Sequence, residues 1–301
     1  MARESVSTEG RIFARQLARE AKRREAVGAM ALGNALTYDN AAIATLKLFH
    51  QCDGPVKTII AMRKVIKRLE QVPADDRSFY FPPGASEFRG KRQAILTIYT
   101  LMHGCHPISS IETGILVSRH TYYSSRRMLS ARVSDELAFI SDHTLGRLHE
   151  RADDSWGTSS VFGLSGMLAL IGEIGMGMAL VHNDRPGTQL NVVVSQMMLT
   201  GSMRHVKKTD PGGSYFQPFF DVRTALPVDA NGVSDEQRSQ AKYINTLINA
   251  CITNDVPMQF LADGKLVEEI PYIERREDYI TDLINKTALQ ADGPMLGSSN
   301  Q

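Results

Sequence analysis

The sequence predicts an α+β protein, with N-terminal helices followed by a mixed core that contains an antiparallel sheet. Three observations lead there. Residues 1–90 set apolar side chains at helical spacing among many arginines and lysines. Residues 91–225 hold short β-branched and aromatic runs bounded by turn signals. Residues 226–290 return to helical spacing with an excess of acid, and 291–301 form a Gly/Ser-containing flexible tail. The expected organisation is therefore a basic helical region with an aromatic loop (1–90), an α+β core (91–225), an acidic helical region (226–290) and the tail.

The first helix is expected over Glu9–Leu36, where Ile12, Phe13, Leu17, Ala21 and Ala29 drift around one side. Arg11, Arg15, Arg19, Lys22, Arg23 and Arg24 take much of the rest. A second covers Asn40–His50 and ends at Gly54–Pro55. A third runs from Pro55 to about Gln71, with Ile59, Ile60, Met62, Val65, Ile66 and Leu69 as its apolar side. It carries Lys57, Arg63, Lys64, Lys67 and Arg68 with no acid before Glu70. Such helices suit a nucleic-acid module, a dimerisation arm, an anionic membrane surface or a solvated charged face.

Val72–Gly90 includes Pro82–Pro83–Gly84 and reads as an extended surface loop. Its Phe79, Tyr80, Phe81 and Phe88, interleaved with Arg77, Arg89, Lys91 and Arg92, either stack bases beside phosphate or pin the loop to its domain. A strand follows over Ala94–Met102, and a short one over Gly114–Val117. Ser118–Glu136 reads as mostly helical, against the weight of Tyr122 and Tyr123.

Val161–Val181 contains one charge, Glu173, and five glycines. Its length suffices for a bilayer, but the buried acid and the glycines favour a helix packed against the sheet. A membrane location is disfavoured. Asn183–Gly187 is a turn, and strands are expected over Leu190–Ser195, around Met197–Met203 and over Tyr215–Arg223, with Pro218 marking an edge or bulge. Ser234 caps a helix over Ser234–Thr253, and another helical region includes Tyr272–Leu289.

Charge is unevenly spread. Residues 1–151 carry 23 Lys+Arg against 15 Asp+Glu, whereas 152–301 carry 11 against 18. The first half therefore suits a polyanionic partner, RNA or DNA, or the two halves attract each other or an acidic protein partner. Cys52, Cys105 and Cys251 are widely separated and form no C-x-x-C pair, which points to reduced thiols in the cytoplasm. The start, MARESVSTEG, lacks an apolar secretory core. P-loop, Rossmann, H-E-x-x-H and G-x-S-x-G motifs are absent from the sequence, which disfavours nucleotide-dependent and zinc-hydrolase chemistry. His103, Cys105 and His106 lie close together but not at a zinc spacing, so neither a metal site nor a cofactor is expected.

The chemistry most open to proposal sits in Ile140–Arg151, ISDHTLGRLHER. A helix from Asp142 puts His143, Arg147 and Arg151 on one stripe. An imidazole can move a proton while two guanidinium groups hold phosphorane charge, as metal-independent phosphodiester cleavage requires. The dodecamer resembles the His-x-x-x-Arg-x-x-x-Arg helix of small ribonuclease-toxin-like domains, in which such a helix precedes an antiparallel sheet. On that likeness His143, Arg147 and Arg151 are the matching, catalytic positions. The long glycine-rich stretch before the first following strand departs from the compact pattern. Arg63, Lys64, Lys67, Arg68, Arg89, Arg119, Arg126 and Arg127 are the candidate nucleic-acid contacts. The alternative is a non-enzymatic structural or assembly protein that forms a homo-oligomer or binds an acidic partner.

Overall fold

A computed structural model describes residues 6–33, 44–45, 48–49, 55–80, 86–89, 93–124, 129–151, 187, 189–194, 197–210, 213–239 and 241–242. The fold is α+β, with N-terminal helices leading into a mixed, mostly antiparallel sheet. Helix α1 spans Thr8–Ala31. The Ser7 hydroxyl caps it by accepting from the Gly10 N–H at 3.0 Å. The chain leaves it through Gly33, whose φ of 84° is the left-handed conformation that glycine adopts without strain. Helix α2 spans Pro55–Glu70 and opens on proline, which lacks the N–H that a first turn leaves unpaired. Residues 44–45 and 48–49 are also helical.

The strands are β1 (Phe79–Tyr80), β2 (Ser86–Arg89), β3 (Gln93–Cys105), β4 (Thr113–Ser124), β5 (Leu129–Ser141), β6 (Gln189–Val194), β7 (Met197–Asp210) and β8 (Gly213–Pro227), with helix α3 over Asp142–Arg151 between β5 and β6. They form one sheet in the order β1-β3-β4-β5-β8-β7-β6, with β2 also paired to β3. It consists of two antiparallel meanders, β3-β4-β5 and β6-β7-β8. Their last strands meet in parallel where Ala138, Phe139 and Ile140 face Phe220, Asp221 and Val222.

Close backbone approach to the two seam strands, from the strand beside each, accounts for two glycines. A Cβ on Gly114 of β4 would lie 2.1 Å from the Ile140 carbonyl oxygen. One on Gly201 of β7 would lie 2.1 Å from that of Asp221. Each meander therefore has a glycine in its middle strand, set against the strand that forms the seam.

Successive residues of a strand point to opposite faces, so runs of buried neighbours mark where both faces are covered. Leu96–Leu101, Leu137–Ser141 and Gln217–Val222 are such runs. One core cluster joins Ile59, Met62, Val65 and Leu69 of α2 to Leu96 and Ile98 of β3 and Tyr122 of β4, with Phe49 edge-on to Tyr122 at 5.1 Å. The basic helix thus buries its apolar stripe against the sheet and leaves the cationic side outward. A smaller cluster sets Val233 and Ala241 against Met198. Beside it, Ser234 and Gln237 cap each other's backbone N–H groups at 2.9 and 3.2 Å, the reciprocal box that its sequence suggested.

Two expectations are corrected. The described residues of Ser118–Glu136 are not helical: they supply the end of β4 and most of β5. Pairing of β4 on both sides, to β3 and to β5, gives β-branched and aromatic residues such as Thr121 and Tyr122 cross-strand partners, and this outweighs a weak local helical tendency. The Val72–Gly90 segment is not all loop either, since β1 and β2 pair with β3 and Ala74–Asp76 forms a 3₁₀ turn. Pro218 lies opposite His205 on β7, just before the β5 ladder begins at Phe220, so it needs no donor on that side. The expectations for Val161–Val181, Tyr272–Leu289 and the tail lie outside the described residues, as does most of Asn40–His50. Among the described residues, no helix is long and apolar enough to cross a membrane.

Candidate polyanion-binding surface

Helix α3 begins where the parallel seam ends. The Ser141 hydroxyl accepts from the Thr144 N–H at 3.1 Å and so caps the helix. Beyond Val222, the edge of β8 faces α3 instead of a strand. The Thr144 hydroxyl donates to the Arg223 carbonyl at 3.1 Å, and Arg151 Nη1 donates to the Ala225 carbonyl at 2.8 Å. Arg151 thereby satisfies a backbone acceptor that the sheet itself leaves open.

Arg147 is paired as well. Its Nη1 lies 3.1 Å from Glu150 Oε2. The other oxygen of Glu150 accepts the Ser7 backbone N–H, and this bond, together with Arg147, holds the carboxyl below the ordinary glutamate range. The His149 ring stacks on Phe13 at 4.3 Å. Leu145 and Leu148 are fully buried, while His143 is exposed. The stripe of His143, Arg147 and Arg151 exists as a helical feature, but both guanidinium groups hold protein atoms.

Two polar clusters that include residues missed in the sequence lie nearby. In the first, His103 Nε2 is 3.1 Å from Asp142 Oδ1, and the Thr113 hydroxyl donates to Asp142 Oδ2 at 2.6 Å. Together these hold the Asp142 carboxyl low even though burial opposes ionisation. Glu25 of α1 faces the same imidazole, and burial pushes its carboxyl up to about 7. In the second, His106 Nδ1 accepts backbone N–H groups from Ile108 and Ser109, each at 3.1 Å. Its proton therefore sits on Nε2, 3.3 Å from the buried Asp221 Oδ2. Arg223 bridges Asp221 to Glu112, and Arg204 Nε approaches Asp221 at 3.5 Å. Neither acid carried a motif in the sequence; only the fold brings Glu25 and Asp221 to these histidines. Among the described residues, no three His, Cys, Asp or Glu side chains gather as a metal site. Cys105 is an exposed free thiol.

Exposed cations gather on α1 and α2, and Arg204 and Lys207 of β7 are exposed as well. Lys57, Arg63, Lys64, Lys67 and Arg68 of α2 are all exposed. Lys57, Lys64 and Arg68 rim a surface groove of about 380 Å³ whose apolar floor is Leu48, Ile60, Ala61 and Val65. Arg68 Nη1 also donates to the Leu32 carbonyl at 3.3 Å, fixing that rim to the end of α1. On α1, Arg11, Arg15, Arg19 and Lys22 are exposed. Arg23 is bound to Glu20 and Asp76, and the buried Arg24 to Glu20 and the Arg77 carbonyl.

Of the remaining candidate contacts, Arg119 has a described side chain. Arg119 is only 3% exposed within β4, unlike the cations of α2. Arg89 lies in β2 opposite Gln93, and its side chain is outside the described residues, as are Arg126 and Arg127. Comparison of the chain with protein-family models, with curated proteins and with solved structures finds no match in any of the three.

Proposed function

We propose that the protein binds a polyanion, with nucleic acid as the class, through the outward face of α2. The observation that carries the proposal is the grouping of five exposed cations on one helix whose opposite stripe is anchored in the core. Such a helix presents its charges from a backbone fixed by the core. Phosphate contacts then gain affinity by releasing counterions, with a salt dependence set by the number of contacts. Cleavage is not part of the proposal, because Arg147 and Arg151 already hold Glu150 and the Ala225 carbonyl.

Fluorescence anisotropy with labelled RNA and DNA oligonucleotides over a salt series tests it. Binding should weaken as salt rises. The double substitution Lys64→Gln with Lys67→Gln should flatten the slope of log affinity against log salt by about 1 to 2, since each phosphate contact contributes roughly 0.7 to 0.9. Absence of binding to both nucleic acids at low salt sinks the proposal. Strand integrity read from the same samples reports directly on turnover.

A further inference from the structure

The groove on α2 is an unusual place for a purely polar ligand, because its floor is apolar. Val56 and Ile60 are 55% and 48% exposed on the same helix. They continue, four residues at a time, into Lys64 and Arg68. An occupant that satisfies this face must bring apolar side chains and negative charge together, as an amphipathic acidic peptide does in a helix groove.

The chain itself contains such a segment. Residues 263–282, DGKLVEEIPYIERREDYITD, hold seven acidic residues against three basic ones, interleaved with Leu266, Val267, Ile270, Ile273 and Ile280. The described structure ends at Lys242. The intervening residues reach up to about 70 Å when extended, against a radius of gyration of roughly 19 Å for a compact chain of this length. Length therefore permits the segment to reach α2 from most of the surface, and charge together with the apolar floor favours that destination.

We infer that the acidic segment 263–282 seats in the α2 groove of its own chain and screens the groove's cations from outside polyanions. The screening rests on the polyanion function proposed above, whereas the docking stands on the groove and the segment alone. Occupancy places carboxylates against Lys57, Lys64 and Arg68 and covers Ile60. A nucleic acid must displace the segment to gain the same contacts.

Zero-length carbodiimide crosslinking of the full chain, followed by peptide mapping of the monomer band, tests the docking. Amide bonds from Lys57 or Lys64 to carboxylates of 263–282 are expected, and Lys64→Gln should remove those made at Lys64. Crosslinks from these lysines only to other segments, only within a dimer band, or not at all overturn the docking. A full-length variant with Glu268→Gln, Glu269→Gln, Glu274→Gln, Glu277→Gln and Asp278→Asn should bind an oligonucleotide about tenfold more tightly. Unchanged affinity overturns the screening. If the crosslinks form but neither protein binds an oligonucleotide at any salt, the polyanion function falls and the docking stands.

Discussion

Gly10 of α1 and Gly146 of α3 cross backbone to backbone. A Cβ on Gly10 would stand 2.9 Å from the Gly146 carbonyl oxygen, and one on Gly146 would stand 3.1 Å from that of Gly10. Small residues at such a crossing let two helices approach more closely than side chains otherwise permit. The flanking contacts fit around it: Phe13 on His149, and Glu150 on the Ser7 N–H. Helix α3 is thus a clasp between α1 and the sheet.

Gly10→Ala should loosen that clasp. Alanine gains about 1 kcal/mol of helix propensity over glycine in a helix interior. The new methyl must displace the backbone of α3, and overpacking of this kind costs roughly 1 to 3 kcal/mol. A net loss of about 1 kcal/mol is expected in chemical denaturation, because position 10 lies in the first turn of α1, where the propensity gain is smallest. A variant more stable than wild type contradicts the crossing.

Arg151→Met should destabilise without altering polyanion binding. Methionine retains an apolar stem but leaves the Ala225 carbonyl without its donor, at a cost of about 1 to 3 kcal/mol for a buried acceptor. The denaturation midpoint should fall while the affinity for an oligonucleotide, measured well below that midpoint, stays the same. A folded variant that loses binding returns Arg151 to a ligand-contacting role.

Gly201→Ala tests the close approach of β7 to β8, the strand that forms the seam. Its Cβ would meet the Asp221 carbonyl carbon at 2.8 Å and its oxygen at 2.1 Å, both backbone atoms that cannot swing away. The β7 and β8 strands must part locally to admit it. Loss of about 3 kcal/mol, or failure to fold, is expected from forcing strand backbones apart. A mild effect, under about 0.5 kcal/mol, contradicts the close approach.

The parts of this fold legible in the sequence are those set by local patterning. The apolar stripe of Ile59, Met62, Val65 and Leu69 gives α2, and the serine cap gives the start of the helix after Ser234. What local patterning could not reveal are relationships between distant segments. The strands β4 and β5 are polar enough around Arg119 and Arg132 to pass for helix until their neighbours are known. The stripe on α3 was visible, but the partners that occupy Arg147 and Arg151 lie three residues away in one case and 74 away in the other. Spacing along a helix shows which side chains align. It does not show whether a sheet edge has a carbonyl in need of a donor.

The same distance dependence governs the expected response to pH. Among the described residues, Glu25 Oε1 is buried without a hydrogen-bond partner, and burial raises the carboxyl to about 7, with His103 and Lys22 opposing in part. A raised value means that the fold favours the protonated acid. Its stabilising contribution is complete below the unfolded value of 4.5 and is lost as pH rises through about 7. Asp142 acts in the opposite sense: its carboxyl is held below 3.8, so its contribution is present above that value and fades only in acid. Glu25→Gln keeps the shape and abolishes ionisation. Urea denaturation should therefore show wild type losing about 2 to 3 kcal/mol relative to the variant between roughly pH 5 and pH 8. The variant should be the more stable protein at the alkaline end. Parallel pH profiles for the two proteins would place the Glu25 carboxylate in water and remove it from the cluster around His103.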